Sequence, residues 1–319
     1  MREPQAWWRS LGYASGIVPD YSARTVLVVW WITCLLWSSV WLCIKIGVGD
    51  VPPATFASVR LIIALLVLLP VIALRRLPLP RQRHDWLLIG TTGFLLLGLN
   101  YAFLYWGAQY ITSGLSAVLQ AVTPAFGLMF AHVLLDDERF TAWQASGLLL
   151  GVMGVAAIFA DQLYVTGRAA FWGCLAVTAS ALCVALGYVV VKRHGTHLRP
   201  IELTTGQMIV GLVPLLAIVF TREGNPFAVR WTTPAIVSVL YLALAGSVAA
   251  FWLNYWLLKR ISATRLLVMS LVEPLIAVIL GAIVLQEALP AGTLLGGSCI
   301  LASTWMVLTP RRTASAGTG

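Results

Sequence analysis

Apolar stretches of about twenty residues, separated by short polar breaks, fill the chain from residue 26 to residue 308. Ten can be marked: 26–46, 54–74, 86–107, 113–134, 142–160, 170–191, 201–220, 234–257, 264–285 and 291–308. At about 1.5 Å per residue, each is long enough for a helix to cross, or nearly cross, a hydrocarbon core of about 30 Å. The pattern predicts helices only. What remains is a polar N-terminal tail, 1–25, and a polar C-terminal tail, 309–319.

The polar interruptions repeat. Pro124, Asp137 and Gly147 return 150 positions later as Pro274, Glu287 and Gly297. Lys45, Pro53 and Ile62 return 147 positions later as Lys192, Pro200 and Ile209. Leu-Asn-Tyr occurs at 99–101 and again at 253–255, a spacing of 154. Proline, lysine and acids are rare in spans, so these matches outweigh recurring leucines. Residues 26–160 and 170–308 thus read as two five-helix repeats. An odd number of spans per repeat inverts the second against the first. The expected fold is all-α and integral to the membrane: ten transmembrane helices as two inverted five-helix repeats around a central cavity. Such a pair can build one site open to either side in turn, as in secondary transporters.

Hydrophobic residues make up 60% of the 319 and charged residues 10%, against roughly 25% charged in a soluble protein. No room is left for a separate soluble domain. The net charge of +9 does not point to nucleic acid, because its basic residues are scattered among short loops. Counting from a cytoplasmic N-terminus, sixteen Lys and Arg fall in cytoplasmic segments, four in outer segments, and Arg60 within a span. That bias places both termini in the cytoplasm. The five cysteines all lie in spans without CxxC spacing and read as packing residues. His194 and His197 lack a third ligand nearby, so no metal is expected. No GxxxxGK loop is present, and no cofactor is implied.

Ionisable and polar residues inside spans are the candidate site. Glu273 lies near the middle of the ninth span, where an ionised carboxylate costs about 2.5–3.5 kcal/mol. It is protonated, paired or in water, and either carries a coupled proton or bonds the backbone at Pro274. Pro124 and Pro274 each remove a helical donor and free the carbonyl four residues earlier, on Gln120 and Ser270. Matched breaks of this kind mark hinges and binding sites, or kinks that shape packing. Trp37, Trp41 and Lys45 recur at four-residue spacing on the first helix. They face a cavity as aromatic and cationic contacts, or sit at the interface with the lysine snorkelling. Arg60 binds an anion, joins an internal salt bridge or snorkels. Asn100 and Tyr101, with Trp106, and Asn254, with Trp252 and Tyr255, add polar-aromatic surface for a ligand or for neighbouring helices. Asp137, Glu138 and Glu287 fall at helix ends, as salt-bridge partners or gate residues. Gly147-x-x-x-Gly151 and Gly292-x-x-x-Gly296 allow close helix approach, inside the bundle or on a dimer surface.

The order of several motifs is also telling. Leu36-Trp37-Ser38-Ser39 precedes Lys45, and Pro53-Ala54-Thr55-Phe56-Ala57-Ser58-Val59-Arg60 opens the second span. Asp137-Glu138-Arg139 closes the fourth before a glycine-rich fifth span. Glu273-Pro274 sits in the ninth, which ends in Leu285-Gln286-Glu287. In this arrangement the chain resembles, over about residues 26–308, two EamA-type domains of the drug/metabolite transporter superfamily. The resemblance implies a ten-helix bundle whose cavity is lined by the first, third and fourth helices of each half. It also implies efflux of small metabolites by a bacterial inner-membrane protein. Asp137-Glu138 stands where the family usually has Gly-Glu, which leaves open which acid takes the family role.

Together these readings predict a secondary active exporter of small metabolites such as amino acids, working by alternating access and coupled to protons through Glu273. It meets a small-molecule substrate and membrane lipid, as a monomer or homodimer. Three rivals remain. One is a flippase for an amphipathic lipid-linked carrier. Another is a membrane-embedded lipid-modifying enzyme, which needs a clustered His, Asp, Ser or metal constellation. The last is a passive channel.

Overall fold

A computed structural model describes residues 22–74, 82–134, 141–165, 167–195, 197–258, 260–261, 269–287 and 291–309. Asp137 and Glu138, the tails before residue 22 and after residue 309, and the side chains of Tyr255 and Ser270 lie outside the described set. All regular structure within it is helical. The elements are α1 (Ala23–Asp50), α2 (Pro53–Leu74), α3 (Arg83–Ala108), α4 (Ser113–Leu134), α5 (Ala142–Val165) and α6 (Arg168–His194). Then come α7 (Pro200–Ile218, continued to Glu223), α8 (Thr233–Ala243, continued to Leu258), α9 (Met269–Val284) and α10 (Ala291–Leu308). Among the described residues seven helices are long and apolar enough to cross a membrane. Ala142–Ile158, Val272–Val284 and Ala291–Val307 are shorter apolar helices. The first helix starts at Ala23 and ends at Asp50, beyond both limits of its apolar run.

Local chemistry sets several starts. Ser22, Thr112 and Thr232 use their hydroxyls to cap α1, α4 and α8. Proline occupies the first turn of α7 and α8, where its missing N–H costs nothing. Among the described residues a π turn ends α7 (Val219–Glu223), and two helices carry one internally, Phe94–Leu99 in α3 and Leu244–Ala249 in α8. The two internal turns lie 150 positions apart, the spacing of Pro124 and Pro274. They align Asn100 with Ala250 rather than with Asn254. The Leu-Asn-Tyr recurrence at 154 is therefore not the structural correspondence.

The neighbour pattern has its own regularity. α3 packs on α6 and α7, and α8 on α1 and α2. α4 packs on α6, α9 on α1, α4 on α9, α2 on α7 and α5 on α10. Exchanging each of α1–α5 with the helix five places later leaves these pairings unchanged. Each half therefore buries its apolar faces largely against the other half. Outward-facing leucines and valines such as Leu66, Leu74, Val133 and Val213 stay exposed, as on a surface that lipid covers.

Small residues set the closest approaches. A Cβ added at Gly154 would lie 2.7 Å from the Gly296 carbonyl, and one at Gly296 2.6 Å from the Gly154 carbonyl. Gly147 and Gly151 meet Met306 and Ser303 of α10 in the same seam. The first glycine pair expected from the sequence therefore packs inside the bundle. Gly296→Val should cost about 1–3 kcal/mol through overpacking against Gly154 and Ile158. The readout is a lower thermal midpoint for the detergent-extracted protein. Gly90→Ala, where a Cβ meets nothing within 4 Å, should leave the midpoint unchanged or raise it.

Candidate functional site

A cavity of about 710 Å³ lies between the two halves. Its contribution from α1 follows helical phase. Trp37, Trp41 and Ile44 line it and Lys45 does not. At about 100° per residue, position 44 returns to within about 20° of position 37, whereas position 45 points about 80° away. The Lys45 ammonium instead donates to the Ala108 and Gln109 carbonyls at 2.9 and 3.1 Å, at the C-terminus of α3. Those carbonyls are the negative end of that helix. The matching lysine of α6, Lys192, does line the cavity, together with Val184, Ala185, Tyr188 and Val189.

Arg60 is the central cation. It is 4% exposed, although it lies in an otherwise apolar helix. Its Nε donates to Ser247 Oγ at 3.1 Å and its Nη1 to Tyr105 Oη at 2.7 Å. The guanidinium also lies 5.1 Å from the ring centroid of Tyr101. Among the described residues no carboxylate pairs with it. Neither the internal salt bridge nor the snorkelling conformation expected as alternatives is present there. Tyr105 and Ser247 went unnoticed in the sequence. Tyr105 follows Tyr101 by four residues, so its helical face was a usable signal. Ser247 lies inside the π turn of α8, which apolar periodicity does not reveal.

Gln120, Pro124, Asn100, Tyr101 and Asn254 also line the cavity. Glu273 faces it from α9, half-buried, with no hydrogen bond or ion pair to any described residue. The Oδ1 atoms of Asn100 and Asn254 are buried without a partner among the described residues. Arg60, Lys192, Glu273 and two amide oxygens thus stand in a largely apolar and aromatic wall, the composition of a site that orients a small polar molecule. Trp106 and Trp252 point elsewhere, and both are exposed.

The prolines differ in form. α4 breaks at Ala121–Val122, just before Thr123 and Pro124. The Gln120 carbonyl freed there accepts from the Thr123 hydroxyl at 2.6 Å, and the Ala121 carbonyl accepts from Thr304 of α10 at 2.6 Å. These carbonyls are satisfied within the protein, so Gln120 reaches the cavity through its side chain. α9 runs unbroken through Pro274, which does not line the cavity.

One end of the cavity is sealed. Val48, Val51, Phe56, Ala108, Ile111 and Leu115 are buried there. Two carboxylates from the second half grip helix N-termini of the first. Glu223 accepts from the Ala54 and Thr55 amides at 2.7 Å each, and Glu287 from the Ser113 amide at 2.8 Å. Each meets the positive end of a helix. Gly224, with φ of 84°, makes the left-handed turn that ends the helix at Glu223. At the other end the lining runs out to Ala131, Lys192 and Val307.

The EamA-like transporter family model matches residues 25–160 and 171–309. The uncharacterized transporter YoaV of Bacillus subtilis is 28% identical over 276 residues, covering 85% of this chain and 92% of the relative. YvbV, another uncharacterized transporter of that organism, is 29% identical over 294 residues, 92% of this chain and 94% of its own. The uncharacterized inner membrane transporter YedA of Escherichia coli is 26% identical over 279 residues, 86% and 84% of the two chains. A crystal structure at 18% identity superposes with a TM-score of 0.61, over 89% of this chain and 96% of the other, and so shares the fold.

Tyr105→Phe tests the Arg60 arrangement. Losing a hydrogen bond to a buried cation should cost about 1.5–3 kcal/mol, read as a lower thermal midpoint. An unchanged midpoint would mean that the phenol does not hold the guanidinium.

Proposed function

The chain belongs to the EamA-like transporter family, and from that premise we propose that it is a secondary active exporter of small metabolites such as amino acids. Transport proceeds by alternating access, with Glu273 carrying the coupled proton. One observation carries the reading: a cavity open toward a single end holds an Arg60 with no acid beside it and a Glu273 with no partner among the described residues. An unpaired buried cation awaits an anionic group, because a charge left alone in low dielectric is costly. An unpartnered carboxylate near the middle of a span can take up and release a proton as access changes.

In this reading the two family-matched segments are five-helix repeats of opposite orientation, joined into a ten-helix bundle in the inner membrane. The exchangeable neighbour pairings and the π turns 150 positions apart support it. The excess of Lys and Arg at one set of loops supports putting both termini, and the open mouth near Lys192 and Val307, on the cytoplasmic side. The conformation described is then inward-facing, ready to load from the cytoplasm. The Glu223 and Glu287 contacts are the closed outer gate. A substrate carboxylate meets Arg60. Glu273 gives up its proton to the cytoplasm when substrate loads, and takes another from outside when substrate has left.

Reconstituted protein tests the coupling. Amino acids are screened first by counterflow in proteoliposomes, which registers exchange without a driving force. Glu273→Gln should retain counterflow and lose at least tenfold of the transport driven by a pH gradient. Gradient-driven transport persisting in the variant would place the coupling proton on another residue.

A further inference from the structure

Beside the main cavity lies a second, narrower space of about 140 Å³. Asn100, Tyr101, Val184, Tyr188 and Phe251 line both, so the two spaces share a wall from which the smaller extends. The smaller one runs between α3, α6 and α7. Leu96, Leu97, Val191, Leu203 and Met208 give it an apolar lining. Nothing in the alternating-access reading requires such a chamber.

Its polar atoms are mostly committed. The Gln207 amide donates to Thr92 Oγ1 at 2.8 Å, and Thr92 donates to the Leu88 carbonyl. Asn100 is the exception. Its Nδ2 donates to the Leu96 carbonyl at 2.8 Å, which fixes the amide orientation. That leaves Oδ1 as an acceptor, buried and without a partner among the described residues. A buried acceptor left unsatisfied keeps its desolvation cost, which a ligand donor would recover. The residue is 7% exposed and stands where the two spaces meet.

We propose that this side chamber is the specificity subsite of the transported molecule: it takes one compact apolar group, a single six-membered ring or a branched chain of about four carbons, while Asn100 Oδ1 accepts from an N–H or O–H next to that group. The inference rests on the export reading above and names the substrate class it acts on. Volume sets the limit, since an apolar cavity of about 150 Å³ holds one benzene ring. A fused two-ring group exceeds it. The polar head of the same molecule remains in the main cavity, within reach of Arg60 and Glu273. The substrate is accordingly amphipathic, with its apolar group turned toward α7.

Leu203 of α7, 7% exposed, offers a direct test. The full chain in detergent is titrated with L-alanine, L-leucine, L-phenylalanine and L-tryptophan, and half-saturation is read from thermal stabilisation. Wild-type protein should bind leucine and phenylalanine at least tenfold more tightly than alanine, and phenylalanine more tightly than tryptophan. Leu203→Ala enlarges the chamber and should move the optimum to tryptophan. Leu203→Phe fills it and should bring leucine and phenylalanine to within threefold of alanine, with alanine itself unaffected. If Leu203→Phe does not fold, the shift toward tryptophan in Leu203→Ala decides alone. A wild-type ranking in folded variants overturns the subsite and leaves the export reading standing. Stabilisation and counterflow absent with all four probes, in wild-type protein, would remove the amino-acid reading and the subsite together.

Discussion

Arg60 is a guanidinium buried in a bundle of apolar helices with no described carboxylate beside it, and the arrangement of the cavity follows from that constraint. Desolvating an isolated charge costs several kcal/mol even after relaxation. The protein offsets part of this with a tyrosine hydroxyl, a serine hydroxyl and a ring face, supplied by α3 and α8. Each of these supports is neutral. The cation stays undischarged at the inner limit of a cavity that opens toward one end. In the proposed reading, a substrate carboxylate completes what the fold leaves incomplete.

The two halves share a plan and divide its tasks. At the 147-position spacing Arg60 falls opposite Gln207, whose amide is spent on Thr92. Lys45 closes the C-terminus of α3, while Lys192 faces the cavity. α4 breaks at its proline and α9 does not. The sealed end shows the same division, since Glu223 and Glu287 both come from the second half and both hold helices of the first. Charge-assisted bonds to helix ends are specific in direction and break as units, which suits a gate better than diffuse apolar packing does.

Apolar run length made the helices legible, because a bilayer imposes nearly the same length on every span. Rarity made Arg60 and Glu273 legible, since an ionisable residue in a span needs a reason to be there. Helical phase was harder. Trp37 and Trp41 suggested a stripe ending in Lys45, whereas Ile44 continues the face and Lys45 rotates off it. The π turns were invisible to apolar periodicity, yet one of them delivers Ser247 to Arg60. Glu223 carried no sequence signal beyond an acid before a glycine at a helix end. Its partners are the first amides of α2, about 170 residues away, and only the packed fold brings them together.

Access to the cavity tests the account most directly. Gly127 lines it, and a Cβ added there meets nothing within 4 Å. A protein whose five native cysteines are replaced, carrying Gly127→Cys, can be exposed to a membrane-impermeant thiol reagent from either side of the membrane. The account predicts rapid labelling from the cytoplasmic side, slow labelling from outside, and a clear rise in outside labelling when Glu223 and Glu287 are both changed to glutamine. Labelling from outside alone, or an outside rate indifferent to those two carboxylates, would contradict it.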